Sequence, residues 1–220
     1  MSQQNITAIV PAYNEEATIA QVVTALLASP LLTDVLVISD GSTDATAARA
    51  REAGAQVHEM PRQGGKGEAM LHALIHTDAP IVVFFDADLL GLTPDHVEQL
   101  VRPVLNGSRV MNVGLRDRGI VLTQLTRHLP LIAGERALHR SIIERTPAQY
   151  LKGFMVEASL NYYCRSHGLP YGAVKLSGLS IRHKYEKVGW PLAVLQYGRM
   201  FFQVATAMVT VRVARVRGKF

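Results

Sequence analysis

Along the first 90 positions the apolar residues keep two rhythms in turn. Residues 6–10 (ITAIV), 34–39 (DVLVIS), 55–60 (AQVHEM) and 80–88 (PIVVFFDAD) are short runs rich in β-branched and aromatic side chains, and each reads as a strand. Helical patterns lie between them. Residues 14–29 (NEEATIAQVVTALLAS) place Ile19, Val22, Val23, Leu26 and Leu27 at helical spacing, with Asn14 as the N-cap candidate and acids in the first turn. Residues 45–54 (ATAARAREAG) give a second helix, stopped by Gly54, and residues 68–77 (EAMLHALIHT) a third. The fourth strand is unbroken in its apolar run, which predicts burial on both faces. Strand and helix alternating through short links predict an α/β fold, a mostly parallel sheet with right-handed crossovers. Ligands of such sheets bind beyond the carboxyl ends of the strands. Four loops sit at those ends, PAYNEE, SDGSTD, RQGGKG and DAD, so they are expected to converge on one edge.

Composition narrows the class. At 220 residues, 48% hydrophobic and 19% charged, the chain reads as one globular domain over 1–220. Its expected parts are a ligand-binding half (1–115), a second half that sets the partner (116–190) and an apolar, basic helical tail (191–220). A single cysteine, Cys164, excludes an internal disulfide and fits a reducing, cytoplasmic compartment. The N-terminus carries no basic leader before an apolar run, and no apolar span has the length of a bilayer crossing. Charge is uneven: from Arg182 onward eight Lys/Arg face one acid, Glu186, so the tail carries +7 against a slightly acidic body. A packed or dimerising helix is the simplest reading of that tail, and peripheral contact with anionic lipid is the other. Nucleic acid is disfavoured, because aromatics are few and the body is acidic.

The strand-end loops hold the candidate chemistry. Asp40 carries an acceptor-only carboxylate suited to the imide N–H of uracil or to guanine, and opposed to cytosine. Glu15 could accept from ribose hydroxyls; for Glu15 and Glu16 the alternative is ordinary stabilisation of a helix N-terminus. Lys66 rides a glycine-rich loop before a helix, a natural anion site. Gly67 follows it where a Walker loop needs Ser or Thr, so this is no P-loop. Asp86 and Asp88 would share one side of an extended segment. Two carboxylates so placed repel each other, and a hard divalent ion, Mg²⁺ or Mn²⁺, between them and a polyphosphate would offset that. Solvated acids at a strand-end turn are the alternative.

Together these pieces resemble the family 2 glycosyltransferases, which have the GT-A (Rossmann-like) fold. VPAYNEEATI is similar to the family's opening segment, SDGSTD to its DDGSTD turn with Ser39 in place of an Asp, and FFDADL to its Asp-x-Asp motif. The resemblance covers the first half of the chain. It implies that Asp40 contacts the base, that Pro11, Ala12, Tyr13 and Glu15 line the nucleoside pocket, that Asp86 and Ala87 lie by the nucleotide sugar, and that Asp88 ligates the metal. GGKGEAM is similar to a segment of glucosyl-3-phosphoglycerate synthases whose lysine lies by the diphosphate, a role carried to Lys66. In the second half, GERALHRSI resembles a segment under the acceptor site. GFMVEASLNYY places Glu157 where related enzymes face the acceptor, which makes it the candidate base. By the same resemblance His183, in SIRHKYEK, completes the metal shell, and Arg182, Lys184 and Lys187 could bind phosphate.

The implied activity is metal-dependent transfer from a nucleoside-diphosphate sugar, UDP favoured over GDP, to a hydroxyl or phosphate acceptor. Candidate acceptors are a polyprenyl phosphate, a phosphorylated small molecule or a glycan. Two rivals stay open. A nucleotidyltransferase would want a glycine-rich phosphate loop directly after the first strand, and PAYNEE is not one. A non-catalytic module binding nucleotide sugars or membrane would leave the Asp-x-Asp pair unexplained.

Overall fold

The computed structural model describes residues 4–116, 133–151, 153 and 155–181. In chain order the elements are β1 (Ile6–Ala12), α1 (Ile19–Leu27), β2 (Asp34–Asp40), α2 (Thr46–Glu52), β3 (Gln56–Met60), α3 (Lys66–Leu74), β4 (Ile81–Phe84), β5 (Leu89–Leu90), α4 (Pro94–Leu105), β6 (Met111–Arg116), β7 (Arg136–His139), α5 (Arg140–Arg145), α6 (Met155–Ser166), β8 (Tyr171–Leu176) and β9 (Ser180–Ile181). Seven strands form the main sheet in the order β3-β2-β1-β4-β7-β6-β8, and β5 pairs with β9 apart from it. The sheet is mostly parallel, as expected from the sequence. Its exception is β7, which runs antiparallel to both β4 and β6.

Period-two burial explains why the strands sit still. Ile81, Val83 and Phe85 pack on one face with α1 and α4, while Val82 and Phe84 pack on the other with α3, α5 and α6. The fourth strand is thus covered on both faces, which its unbroken apolar run predicted. The same alternation in β1 sends Ala8 and Val10 to one layer and Ile9 to the other.

Two local expectations are corrected. Asn14 does not cap α1, which begins at Ile19 with Thr18 before it. Asn14 instead has a left-handed backbone (φ 52°), and its side-chain oxygen accepts from the Thr43 N–H at 2.8 Å, tying the first loop to the second. The strand carrying the acids ends at Phe84, and Ala87 and Asp88 form a turn, so strand alternation does not govern where Asp86 and Asp88 point. Among the described residues no helix is long and apolar enough to cross a membrane. The tail at 191–220 lies outside the described residues.

Candidate active site

The four loops do meet at the carboxyl ends of β1, β2, β3 and β4. In register, Pro11 lies beside Ile38 and Ala12 beside Ser39, so the end of β1 abuts the end of β2. Tyr13 follows, 41% exposed and open for ring contact. The Glu15 amide donates to Thr46 Oγ1 at 2.8 Å, and the Thr18 hydroxyl donates to the Ala87 carbonyl at 2.8 Å. That last bond joins the start of α1 to the Asp-Ala-Asp turn.

Asp40 is buried, and its carboxylate clamps the glycine loop. Oδ1 accepts from the Gly64 N–H at 2.7 Å and Oδ2 from the Gly65 N–H at 2.8 Å. Gly65 sits at φ +86°, where a side chain would be strained, and starts α3 one residue before Lys66. At Gly67 a Cβ would lie 1.9 Å from the Leu151 carbonyl oxygen, so only glycine lets α3 approach this close.

Lys66 then reaches the Asp-Ala-Asp turn. Its Nζ lies 2.7 Å from Asp86 Oδ1 and 3.1 Å from Glu157 Oε1, on the first turn of α6. Burial alone would lower the lysine's pKa, but Asp86 and then Glu157 hold it well above the usual range. Burial likewise works to raise Asp86, and Lys66 and Arg116 outweigh it, holding the carboxyl below its ordinary value. The positive charge beside the strand-end acids is therefore supplied by the chain itself.

Three further charged residues complete the cluster, and the sequence reading did not single them out. Arg116, at the end of β6, places Nη2 3.6 Å from Asp86 Oδ2 and Nε 3.4 Å from Glu135 Oε2. Glu135 is fully buried, and burial first, then Asp86, push its carboxyl up to about 7 against the pull of Arg116 and Lys66. Arg136 is also fully buried, donating to the Ala133 carbonyl at 2.7 Å and to the Glu157 carbonyl at 3.4 Å. The available signal was charge inside apolar strand patterns, MNVGLR and GERALH, where a buried ion needs partners. His183, Arg182, Lys184 and Lys187 lie outside the described residues.

Asp88, half-buried in the turn beside Asp86, adds to the field that holds Arg116 protonated. Among the described residues no group of three His, Cys, Asp or Glu could hold a metal unaided. A Mg²⁺-type ion does not need one: one or two carboxylates suffice when substrate phosphates and water supply the other oxygens. Asp86 and Asp88, two residues apart at this turn, are the carboxylates nearest to such a role in the sequence pattern.

Comparison with known proteins gives the class. A family model, glycosyl transferase family 2, matches residues 7–166, and the chain belongs to that family. Its relatives include the glucosyl-3-phosphoglycerate synthase of Mycobacterium tuberculosis (strain H37Rv), 40% identical over 119 residues, which are 50% of this chain and 37% of that one. Another is the 4,4'-diaponeurosporenoate glycosyltransferase of Staphylococcus aureus (strain MRSA252), 36% identical over 101 residues, 44% of this chain and 27% of that one. The matched segments thus span only 37% and 27% of these relatives' own lengths. A crystal structure of the M. tuberculosis synthase with Mn²⁺, UDP-glucose and phosphoglyceric acid superposes with a TM-score of 0.79 at 29% identity, covering 94% of this chain and 79% of that one. The same enzyme with Mg²⁺ and UDP superposes at 0.77 and 29% identity, covering 94% of this chain and 79% of the other. The sheet order and the flanking helices are those of a GT-A-like fold.

Proposed function

We propose that this protein transfers a sugar from a UDP-sugar to a small phosphorylated acceptor in a metal-dependent reaction, with UDP-glucose the donor to test first. The observation that carries this is the convergence of Asp40, Lys66, Asp86 and Glu157 on one sheet edge in a family 2 chain. Asp40 spends one lone pair of each oxygen on the glycine loop and keeps others for a base N–H. Pro11, Ala12 and Tyr13 form the wall beside the base, and Glu15 faces the ribose. Lys66 donates to diphosphate oxygens, and Asp86 and Ala87 set the turn against which the sugar lies. Asp88, joined by His183, holds Mg²⁺ or Mn²⁺, which when bound neutralises charge on the departing diphosphate. Glu157 takes the proton of an attacking acceptor hydroxyl. An acceptor with a lipid-linked phosphate would need no such base.

Calorimetric titration with UDP and GDP, each with and without Mn²⁺, tests the donor site. Metal-dependent UDP binding is expected, with Asp88→Ala abolishing the metal dependence. Binding that ignores the metal, or an Asp88→Ala protein with full metal-dependent turnover, would overturn the assignment. We read the enzyme as cytoplasmic, with the +7 tail packing on the domain, on a second copy or on anionic lipid. Sedimentation with and without anionic vesicles separates these.

A further inference from the structure

We propose that Glu135 is a positioning residue that holds Arg116 at the strand-end turn, so that Arg116 joins Lys66 as a second cation facing the phosphates of the bound nucleotide. The inference rests on the donor-site reading above and assigns a role to two residues that the sequence reading gave none.

Arg116 is strung between two acids. Its Nε faces Glu135 Oε2 at 3.4 Å and its Nη2 faces Asp86 Oδ2 at 3.6 Å, so one guanidinium spans the gap from a wholly buried carboxylate to a part-exposed one at the strand-end turn. Exposure rises along that line: the Glu135 side chain is 0% exposed, Arg116 10% and Asp86 23%. Glu135 cannot touch a substrate; it can only act through the arginine.

The backbone keeps room for this arrangement. A Cβ on Gly134 would lie 2.3 Å from Asp86 Oδ2, and one on Gly114 would lie 3.1 Å from Glu135 Cβ. The Gly114 N–H donates to the Glu135 carbonyl at 2.9 Å, fixing β6 against the residue that precedes β7. The side chain itself is poorly satisfied. Among the described residues neither Glu135 oxygen has a hydrogen-bond partner, and Arg116 Nη1 has none either. Loose buried ion pairs of this kind add little to stability, and apolar replacements of similar volume are often neutral or stabilising. Its carboxyl, pushed up by burial and Asp86, also gives up little when neutralised. A residue so costly to bury is better explained by where it places its partner than by what it adds to the fold.

The test compares wild type with Glu135→Gln, Arg116→Lys and the double variant, reading the Kd for UDP with Mn²⁺ by calorimetry, donor KM and kcat, and Tm. Losing a well-aimed charge-assisted contact weakens UDP binding and raises donor KM by roughly 10-fold, while kcat moves by less than about 3-fold. At pH 7 Tm of Glu135→Gln shifts by no more than about 4 °C, less than deleting one partner of a fully charged buried pair would bring. The double variant weakens binding no more than the worse single one, because both changes remove the same contact. If Glu135→Gln does not fold, Glu135→Met is read in its place. A wild type that does not bind UDP with Mn²⁺ refutes the donor-site reading and this inference together. A wild type that binds, with Glu135→Gln unchanged in Kd or additive with Arg116→Lys, refutes only the role of Glu135.

Discussion

Replacing Lys66 by Met removes the charge that Asp86 and Glu157 share while keeping an unbranched side chain to fill its path. The ammonium lies 2.7 Å from one carboxylate and 3.1 Å from the other, with side-chain exposures of 19% for Lys66, 23% for Asp86 and 7% for Glu157. Breaking a fully buried pair by deleting one partner costs roughly 3–5 kcal/mol. Partial solvation of Lys66 and Asp86 reduces this to about 2–3 kcal/mol, hence a fall in Tm of about 5–10 °C at pH 7 for a chain of this size. The pH dependence follows by sign. In the wild type Asp86 has a lowered pKa, so its contribution is present above the unfolded value and lost as pH falls. In the variant Asp86 keeps the burial that raises its pKa and loses the cation that most lowers it, so the variant gains relative stability on acidification. Thermal melts from pH 7 to pH 4 should therefore show the gap closing. Adding Asp86→Asn to Lys66→Met should recover at least half of the loss at pH 7. A Lys66→Met protein that melts with the wild type at pH 7, or a gap that ignores pH, would refute the ion-pair account.

Gly67→Ala puts a methyl 1.9 Å from the Leu151 carbonyl oxygen, so α3 must move; melts should show a loss of about 2 kcal/mol or more, with weaker UDP binding because Lys66 begins that helix. Asp40→Asn turns one acceptor oxygen into a donor facing a glycine N–H; the loop should lose about 1–2 kcal/mol of local stability, read as faster proteolysis at residues 61–65. Glu135 has a folded pKa of about 7 against 4.5, so its contribution is fully present below pH 4.5 and is lost as pH rises through 7. Glu135→Gln lacks that titration, so its stability relative to wild type should rise by about 2 kcal/mol between pH 5 and pH 8.

The first half of the fold was legible because parallel strands covered on both faces read as apolar runs, and the residues that stop them are those of the site. Ile81–Phe84 followed by Asp86 shows both at once. Asn14 misled because a polar residue before a helix can serve either end of a loop, and here it holds Thr43. The antiparallel β7 was illegible: its four residues, RALH, carry no period, and what fixes them is pairing with β4 and β6 from distant sequence. The Arg116–Glu135–Arg136 cluster was hidden for the same reason. A charge at a strand end reads as solvated until the chain crossing over it is known.

Why a buried strand should end in Asp-Ala-Asp now has a physical answer. Lys66, Arg116 and Arg136 are interleaved with Asp86, Glu135 and Glu157, and burial first, then Asp86, pushes the Glu135 carboxyl towards neutrality. Asp86 is thus the negative centre around which the chain's own cations are organised, and it can stay ionised without a metal. Asp88 lies two residues further on, half-buried in the turn. On the proposed reading a diphosphate and a divalent ion arrive as a nearly neutral pair, which a cluster whose charges are already paired receives without large rearrangement of charge. The two acids then have separate tasks: Asp86 holds the lysine and arginine in place, and Asp88 meets the ligand. Asp86→Asn should accordingly lower Tm and loosen UDP binding while leaving the metal requirement intact. An Asp86→Asn protein that loses the metal requirement as Asp88→Ala is expected to would show that the pair works as one unit and that this division is wrong.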